Sequence, residues 1–175
     1  LAAETSPPNI ICIDHPATQR AVSIAFPELD RPESRVRLIP MDLSTESLGA
    51  NRALAAALAD QPTIVLAESL LMYLSPERVG SLLHDIATLP VPRLRLILTA
   101  MDSPAGEPIS FRPRAPRADR WLAKRSEPMQ SSIPTGLEAE TLARAGLRHT
   151  LTITARELRG GKPGLDGENV LVAER

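Results

Sequence analysis

Aromatic residues are nearly missing from this chain: one Trp, one Tyr and two Phe make up 2% of its 175 residues. Proteins that bind single-stranded nucleic acid stack bases on aromatic rings, and there is almost nothing here to stack on. An excess of charge of one sign is missing too, because 20 Lys and Arg stand against 21 Asp and Glu for a formal net charge of -1. No general attraction to nucleic acid or to an anionic membrane follows from that balance. Cysteine is represented by Cys12 alone, which excludes an internal disulfide and suits a reducing compartment. The opening Leu1-Ala2-Ala3-Glu4-Thr5 lacks the positive start and apolar centre of a secretory signal, and no apolar run approaches a membrane span. The expectation is a cytoplasmic protein whose partner is neither nucleic acid nor membrane. Nothing bears on its oligomeric state.

Apolar residues make up 43% of the chain, so with few aromatics the core must be Leu, Ile, Val and Ala, as in helix-covered parallel sheets. A chain of this size buries about 70% of its unfolded surface and makes one domain. Strands and helices alternate along it. Leu1 to Glu4 reads as the tail of a helix ended by Pro7-Pro8. Asn9 to Ile13 reads as a buried strand stopping at Asp14, and Pro16 opens a helix through about Ala25. Arg35 to Met41 is a second strand ending in Asp42, with Ser44-Thr45-Glu46 as the cap of a helix through about Ala59. The third strand, residues 63 to 67, ends in Glu68.

After it, Ser75 is the expected N-cap and Pro76 the first residue of a helix with Val79, Leu82, Leu83 and Ile86 on one face. Leu94 to Met101 is a fourth strand, ending at Asp102. Residues 103 to 132 are rich in Pro and Arg and read as an inserted loop or lid, with a short helix near Ala118 to Arg125 around Trp121. Thr135 and Glu138 suggest a capping box before a helix that Gly146 ends. Thr150 to Ala155 and Asn169 to Ala173 form two antiparallel strands joined across Gly160-Gly161-Lys162-Pro163-Gly164. The predicted architecture is α/β: a doubly wound, mostly parallel sheet closed by a C-terminal antiparallel hairpin.

In such a sheet, residues that follow parallel strands gather at the carboxyl edge, where open α/β folds bind ligands. Taken alone, Glu68 reads as a loop cap or an arginine partner. Asp14 and Asp42, in matching positions, turn the three acids into a candidate site. A nucleoside would explain them: the first acid accepts both ribose hydroxyls, the second accepts from an adenine amine while the Leu43 N–H reads the ring, and the third faces the charged end of the ligand. Charge-assisted hydrogen bonds of this kind contribute about 1.5 to 3 kcal/mol each. Three carboxylates repel a pyrophosphate but suit a cation, and S-adenosyl-L-methionine carries a sulfonium and an ammonium. A nicotinamide dinucleotide fits less well, and no G-x-G-x-x-G supports it.

Ile13-Asp14-His15-Pro16-Ala17-Thr18-Gln19, Met41-Asp42-Leu43 and Glu68-Ser69-Leu70-Leu71-Met72-Tyr73-Leu74 resemble the motifs of the leucine carboxyl methyltransferase family. Glu127-Pro128 and Ala145-Gly146-Leu147 resemble its C-terminal part. The resemblance implies a class I methyltransferase (Rossmann-like) fold and an S-adenosylmethionine-dependent O-methyltransferase acting on a carboxyl or hydroxyl group of a small molecule. It implies Asp14 on the ribose, Asp42 and Leu43 on the adenine, and Glu68 near the methionyl part. The family's N-terminal cap, first strand and glycine-rich turn have no counterpart here. Residues 1–175 are therefore expected to form a single, N-terminally incomplete methyltransferase domain, inactive alone; a non-catalytic relative acting as an interaction module is the alternative.

Tyr73 just beyond Glu68 either lines the substrate mouth as the catalytic-site residue or packs beneath the following helix. Arg112, Arg114, Arg117, Arg120 and Arg125 would attract an anionic substrate, or form a solvated loop with the interspersed Asp119 and Glu127. His15 reads as a helix-start residue, His84 as exposed and His149 as the start of a strand. These histidines and Cys12 have no ligand spacing, so no metal site is expected. The glycine-rich Gly160 to Gly164 stretch lacks the spacing of a phosphate loop and reads as a turn.

Overall fold

The computed structural model describes residues 8–31, 33–104, 106–113, 120–122, 124 and 128–175. The expected N-terminal helix tail, most of the short helix around Trp121, and Arg114, Arg117, Asp119, Arg125 and Glu127 lie outside them. The chain comprises two compact units, Leu1–Glu46 and Ser47–Arg175.

In the first unit, β1 (Ile10–Asp14) and β2 (Val36–Pro40) form a parallel pair with Asp14 opposite Pro40. Between them runs α1 (Pro16–Ala25), with Pro16 at its start. Proline suits that position because the first helical N–H has no partner to lose and the ring presets φ. His15 is the N-cap, its Nδ1 accepting the Ala17 N–H at 3.2 Å. Gln19 on α1 is buried and donates through Nε2 to the Cys12 carbonyl at 3.0 Å, which ties helix to strand.

The second unit is built on a four-stranded sheet of order β3-β4-β6-β5. Its strands are β3 (Thr63–Ala67), β4 (Leu94–Met101), β5 (Arg148–Ile153) and β6 (Glu168–Glu174). β3 runs parallel to β4, whereas β6 is antiparallel to both β4 and β5. The C-terminal antiparallel hairpin is thus present, with β6 inserted between its partner and the parallel strands. Helices of this unit among the described residues include α2 (Arg52–Leu58), α3 (Pro76–Ala87), α4 (Glu138–Arg144) and the single turn α5 (Ala155–Leu158).

Helix α3 follows its sequence pattern closely. The Ser75 hydroxyl accepts the Arg78 N–H, Pro76 occupies the first position, and Val79, Leu82, Leu83 and Ile86 are all buried. They share a core with Leu96, Leu98 and Met101 of β4, each 0% exposed. Full burial of such a side chain contributes about 1.5–3 kcal/mol. The C-terminal end of α3 is closed by a remote residue: the Arg175 guanidinium donates to the carbonyls of Ala87, Leu89 and Val91. A helix end leaves such acceptors without intrahelical donors, and of the three only Leu89 has a backbone donor besides, the Val91 N–H at 2.8 Å.

Two expectations need correction. The helix after β2 does not start at Ser44. Ser44 closes a turn on Asp42, a 3-10 turn follows over Leu48–Ala50, and α2 begins at Arg52 with the Asn51 side chain accepting the Leu54 N–H at 2.9 Å. Both Ser and Asn cap helices well, and Ser44 is claimed by the nearer carboxylate. Thr135 and Glu138 form no capping box, since Glu138 Oε2 accepts the Gly136 N–H at 2.6 Å and the Thr135 N–H goes to Asp102. A reciprocal box is found instead at Thr154 and Glu157, opening α5, a turn that the alternation pattern is too short to reveal. Gly146 does end α4 as expected: at φ +89 it leads a Schellman closure, with Gly146 N–H on Ala143 and Leu147 N–H on Leu142.

Replacing Arg175 by Ala removes the donor from the Ala87 and Val91 carbonyls and one of two donors from Leu89, and urea denaturation should register a loss of about 1–3 kcal/mol. Leu96→Ala should cost about 2–5 kcal/mol in the same measurement, from transfer and cavity terms together.

Candidate functional site

Asp14 and Asp42 come to the same carboxyl edge of the β1–β2 pair. The Met41 N–H donates to the Asp14 carbonyl at 2.9 Å, extending the parallel ladder to the residue just before Asp42. Asp14 is exposed, its Oδ1 accepting the His15 N–H at 2.7 Å at the entry to α1. Asp42 is half-buried. Its Oδ1 accepts both the Ser44 hydroxyl, at 2.5 Å, and the Ser44 N–H, at 2.9 Å, while its own N–H donates to Glu46 Oε1 at 2.8 Å. The Ser44 hydroxyl and N–H hold the Asp42 carboxyl below the usual aspartate range, with smaller help from Thr45 and His15 against a little desolvation. Asp42 is therefore a charged acceptor with a fixed orientation, and Leu43 follows it in the turn. His15 serves as the helix cap, as expected from its place in the sequence.

Glu68 stands at the carboxyl end of β3, exposed, one residue past Ala67, which pairs with Leu98. The next residue, Ser69, has φ +48, a left-handed backbone that non-glycine residues adopt rarely. Its N–H donates to Thr99 Oγ1 at 2.7 Å and its hydroxyl to Glu168 Oε1 at 3.1 Å. The chain then enters a 3-10 turn, Leu71–Tyr73, with Leu71 and Met72 buried. Tyr73 is half-buried, and its carbonyl accepts from Gln130 Nε2 at 2.7 Å. The Met72 carbonyl accepts the Gln130 N–H at 2.7 Å, and the Ser131 hydroxyl donates to Leu74. Residues 130–131 thus hold the turn that carries Tyr73, a support that lies far away in sequence.

Asp102, at the end of β4, binds two distant segments. Its Oδ1 accepts the Thr135 N–H at 2.9 Å and its Oδ2 pairs with Arg112 at 3.0 Å. Burial works against its charged form, yet the Thr135 and Arg112 contacts together outweigh it and keep its pKa below the usual range. Arg112 is thereby engaged with Asp102, donating also to its carbonyl at 2.6 Å, in place of the anion-attracting role considered for it. The glycine-rich turn before β6 is braced by Arg159, whose guanidinium reaches the Lys162 carbonyl and Asp166. This is a structural turn, as its spacing indicated.

Each unit holds a parallel strand pair released into turns at acids, and the sheet of the second unit is completed by an antiparallel hairpin; these are the elements of the class I methyltransferase fold. Solved structures agree. An O-methyltransferase family protein from Burkholderia thailandensis superposes with a TM-score of 0.56 at 18% identity, over 94% of this chain and 43% of that one. The pyocyanin biosynthetic protein PhzM gives 0.55 at 15% identity, over 94% of this chain and 42% of that one. A third is the B. thailandensis 1,6-didemethyltoxoflavin-N1-methyltransferase, solved with 1,6-didemethyltoxoflavin and S-adenosylhomocysteine. It gives 0.53 at 16% identity, over 96% of this chain and 71% of that one. The chain spans about two fifths of the length of the first two. Residues 5–87 match the family model of leucine carboxyl methyltransferase. That segment carries the Asp14, Asp42 and Glu68 motifs, and the resemblance read from them is borne out there. No curated protein matches the chain by sequence.

Because the folded-state pKa of Asp102 is depressed, its ionised contacts stabilise the fold above the unfolded pKa and are lost as pH falls through the folded value. Acid titration of the melting temperature should therefore show a loss below about pH 4, and Asp102→Asn should flatten that part of the profile.

Proposed function

We propose that this chain carries the cofactor-binding part of an S-adenosyl-L-methionine-dependent methyltransferase that methylates an oxygen, carboxyl or hydroxyl, of a small molecule. The observation that carries the reading is the pair Asp14 and Asp42 at one carboxyl edge, held in orientation by His15 and Ser44, within the segment that matches the family. The donor set suits the cofactor, because carboxylates accept from ribose hydroxyls and an adenine amine and favour a cation over a phosphate. The same reading extends to Glu68 at the end of β3.

In this reading Asp14 accepts the two ribose hydroxyls. Asp42 turns its second oxygen to the adenine amine, Oδ1 being taken by Ser44, and the Leu43 N–H meets the ring. Glu68 faces the methionyl portion. When bound, the cofactor would supply an electrophilic methyl group on its sulfonium, the sulfur being left as the neutral thioether once the methyl has passed to the substrate oxygen. The protein's contribution is orientation and exclusion of water. Tyr73 on its half-buried turn lines the substrate mouth. A carboxylate substrate needs no proton acceptor, whereas a hydroxyl must give up its proton to a base as the bond forms.

Isothermal titration of S-adenosyl-L-methionine into the protein tests the reading, and absence of heat at millimolar ligand would end it in favour of an interaction module. With binding established, Asp14→Ala should weaken it about 10- to 100-fold, the value of the lost charge-assisted bonds. Glu68→Gln binding as well as the parent would show that this acid does not face the cofactor.

A further inference from the structure

The backbone leaving β3 is held by a three-residue clasp of which the motifs contain only Ser69. Thr99 on β4 is the residue after Leu98, the last partner of β3, so the regular ladder stops one step short of it. In place of another backbone bond, the Thr99 hydroxyl accepts the Ser69 N–H at 2.7 Å. The hydroxyl has one proton, and it goes to Glu168 Oε1 at 2.6 Å. The same oxygen accepts the Ser69 hydroxyl at 3.1 Å. Three elements are joined at one point: the end of β3, the middle of β4 and the first residue of β6.

The clasp closes on a residue whose backbone resists the shape it has. Ser69 at φ +48 sits where a side chain is disfavoured, and a strained residue of this kind persists only where its surroundings over-determine it. Asp60, at φ 60, has the same backbone in the turn before β3, but Asp tolerates that region through its own short polar side chain. Ser69 instead depends on Thr99 and Glu168. The residue whose direction is set by this turn is its neighbour Glu68.

We propose that Ser69, Thr99 and Glu168 are positioning residues, a clasp that holds the turn after β3 so that Glu68 is presented at a fixed place on the carboxyl edge for the methionyl end of the cofactor. Resting on the methyltransferase reading, it adds that the affinity for the charged end of the ligand is set by a carboxylate about a hundred residues downstream. Thr99→Val keeps the shape of the residue and removes both hydroxyl bonds, while Thr99→Ser restores them.

The test uses the full chain and two ligands, S-adenosyl-L-methionine and 5′-methylthioadenosine, which lacks the amino-acid end. Thr99→Val should weaken the first about tenfold and leave the second within about threefold, and Thr99→Ser should bind both as the parent does. Equal affinity of Thr99→Val and parent for both ligands overturns the clasp, as does an equal loss for both. Amide hydrogen exchange at Ser69 separates this from failure of the functional reading. If the parent binds neither ligand, a Ser69 amide protected in the parent and in Thr99→Ser but open in Thr99→Val supports the clasp as a device that fixes the turn. Protection unchanged in all three proteins overturns it.

Discussion

Burial of β4 is the constraint on which the Ser47–Arg175 unit depends. Leu96, Leu98 and Met101 are fully inaccessible, so the strand's backbone polar groups have no recourse to water and must be paired along both edges. β3 supplies one edge in parallel and β6 the other in antiparallel. From this follow the places of the neighbouring groups. Thr99 reaches beyond the end of β3, and Asp102 emerges at the strand's carboxyl end to gather Arg112 and Thr135. Helix α3 covers the same strand's core with one apolar face.

The polar groups at the carboxyl ends divide into two kinds. Asp42 and Asp102 are both locked by backbone N–H donors, and in each case the hydrogen bonds lower the pKa. Asp14 and Glu68 are exposed, with Asp14 fixed through one oxygen to the first turn of α1. Within the Leu1–Glu46 unit this sets an acceptor of fixed direction, Asp42, on the same edge as the more open Asp14. In the proposed reading that pairing serves a nucleoside, whose base and ribose ask for acceptors at set spacing.

Much of this was legible in the residue order, and the reasons are specific. β3 and β4 are short apolar runs bounded by turn residues, and α1 and α3 each begin at a proline behind a capping side chain, so their limits follow from local chemistry alone. Where local chemistry offered two answers, tertiary partners decided. Ser44, expected within the cap of the next helix, bonded Asp42 instead, and Thr135 and Glu138 had the spacing of a box but found nearer or stronger partners in Asp102 and Gly136. Glu168 carried no signal at all. Its role arises from β6 lying beside β4, and neither periodicity nor spacing reports which distant strand becomes a neighbour.

The insertion of β6 between β4 and β5 also governs how this unit comes together. Pairing Thr99 with Val170 closes a loop of roughly seventy residues, and the entropic cost of that closure falls on a single step. Until it is taken, the β5–β6 hairpin has no place on the sheet, the fully hidden flank of β4 lies bare, and Arg175 is not held at the α3 carbonyls. Assembly of this unit is in effect gated by β6, the last of its four strands in chain order, which serves as the keystone of the sheet.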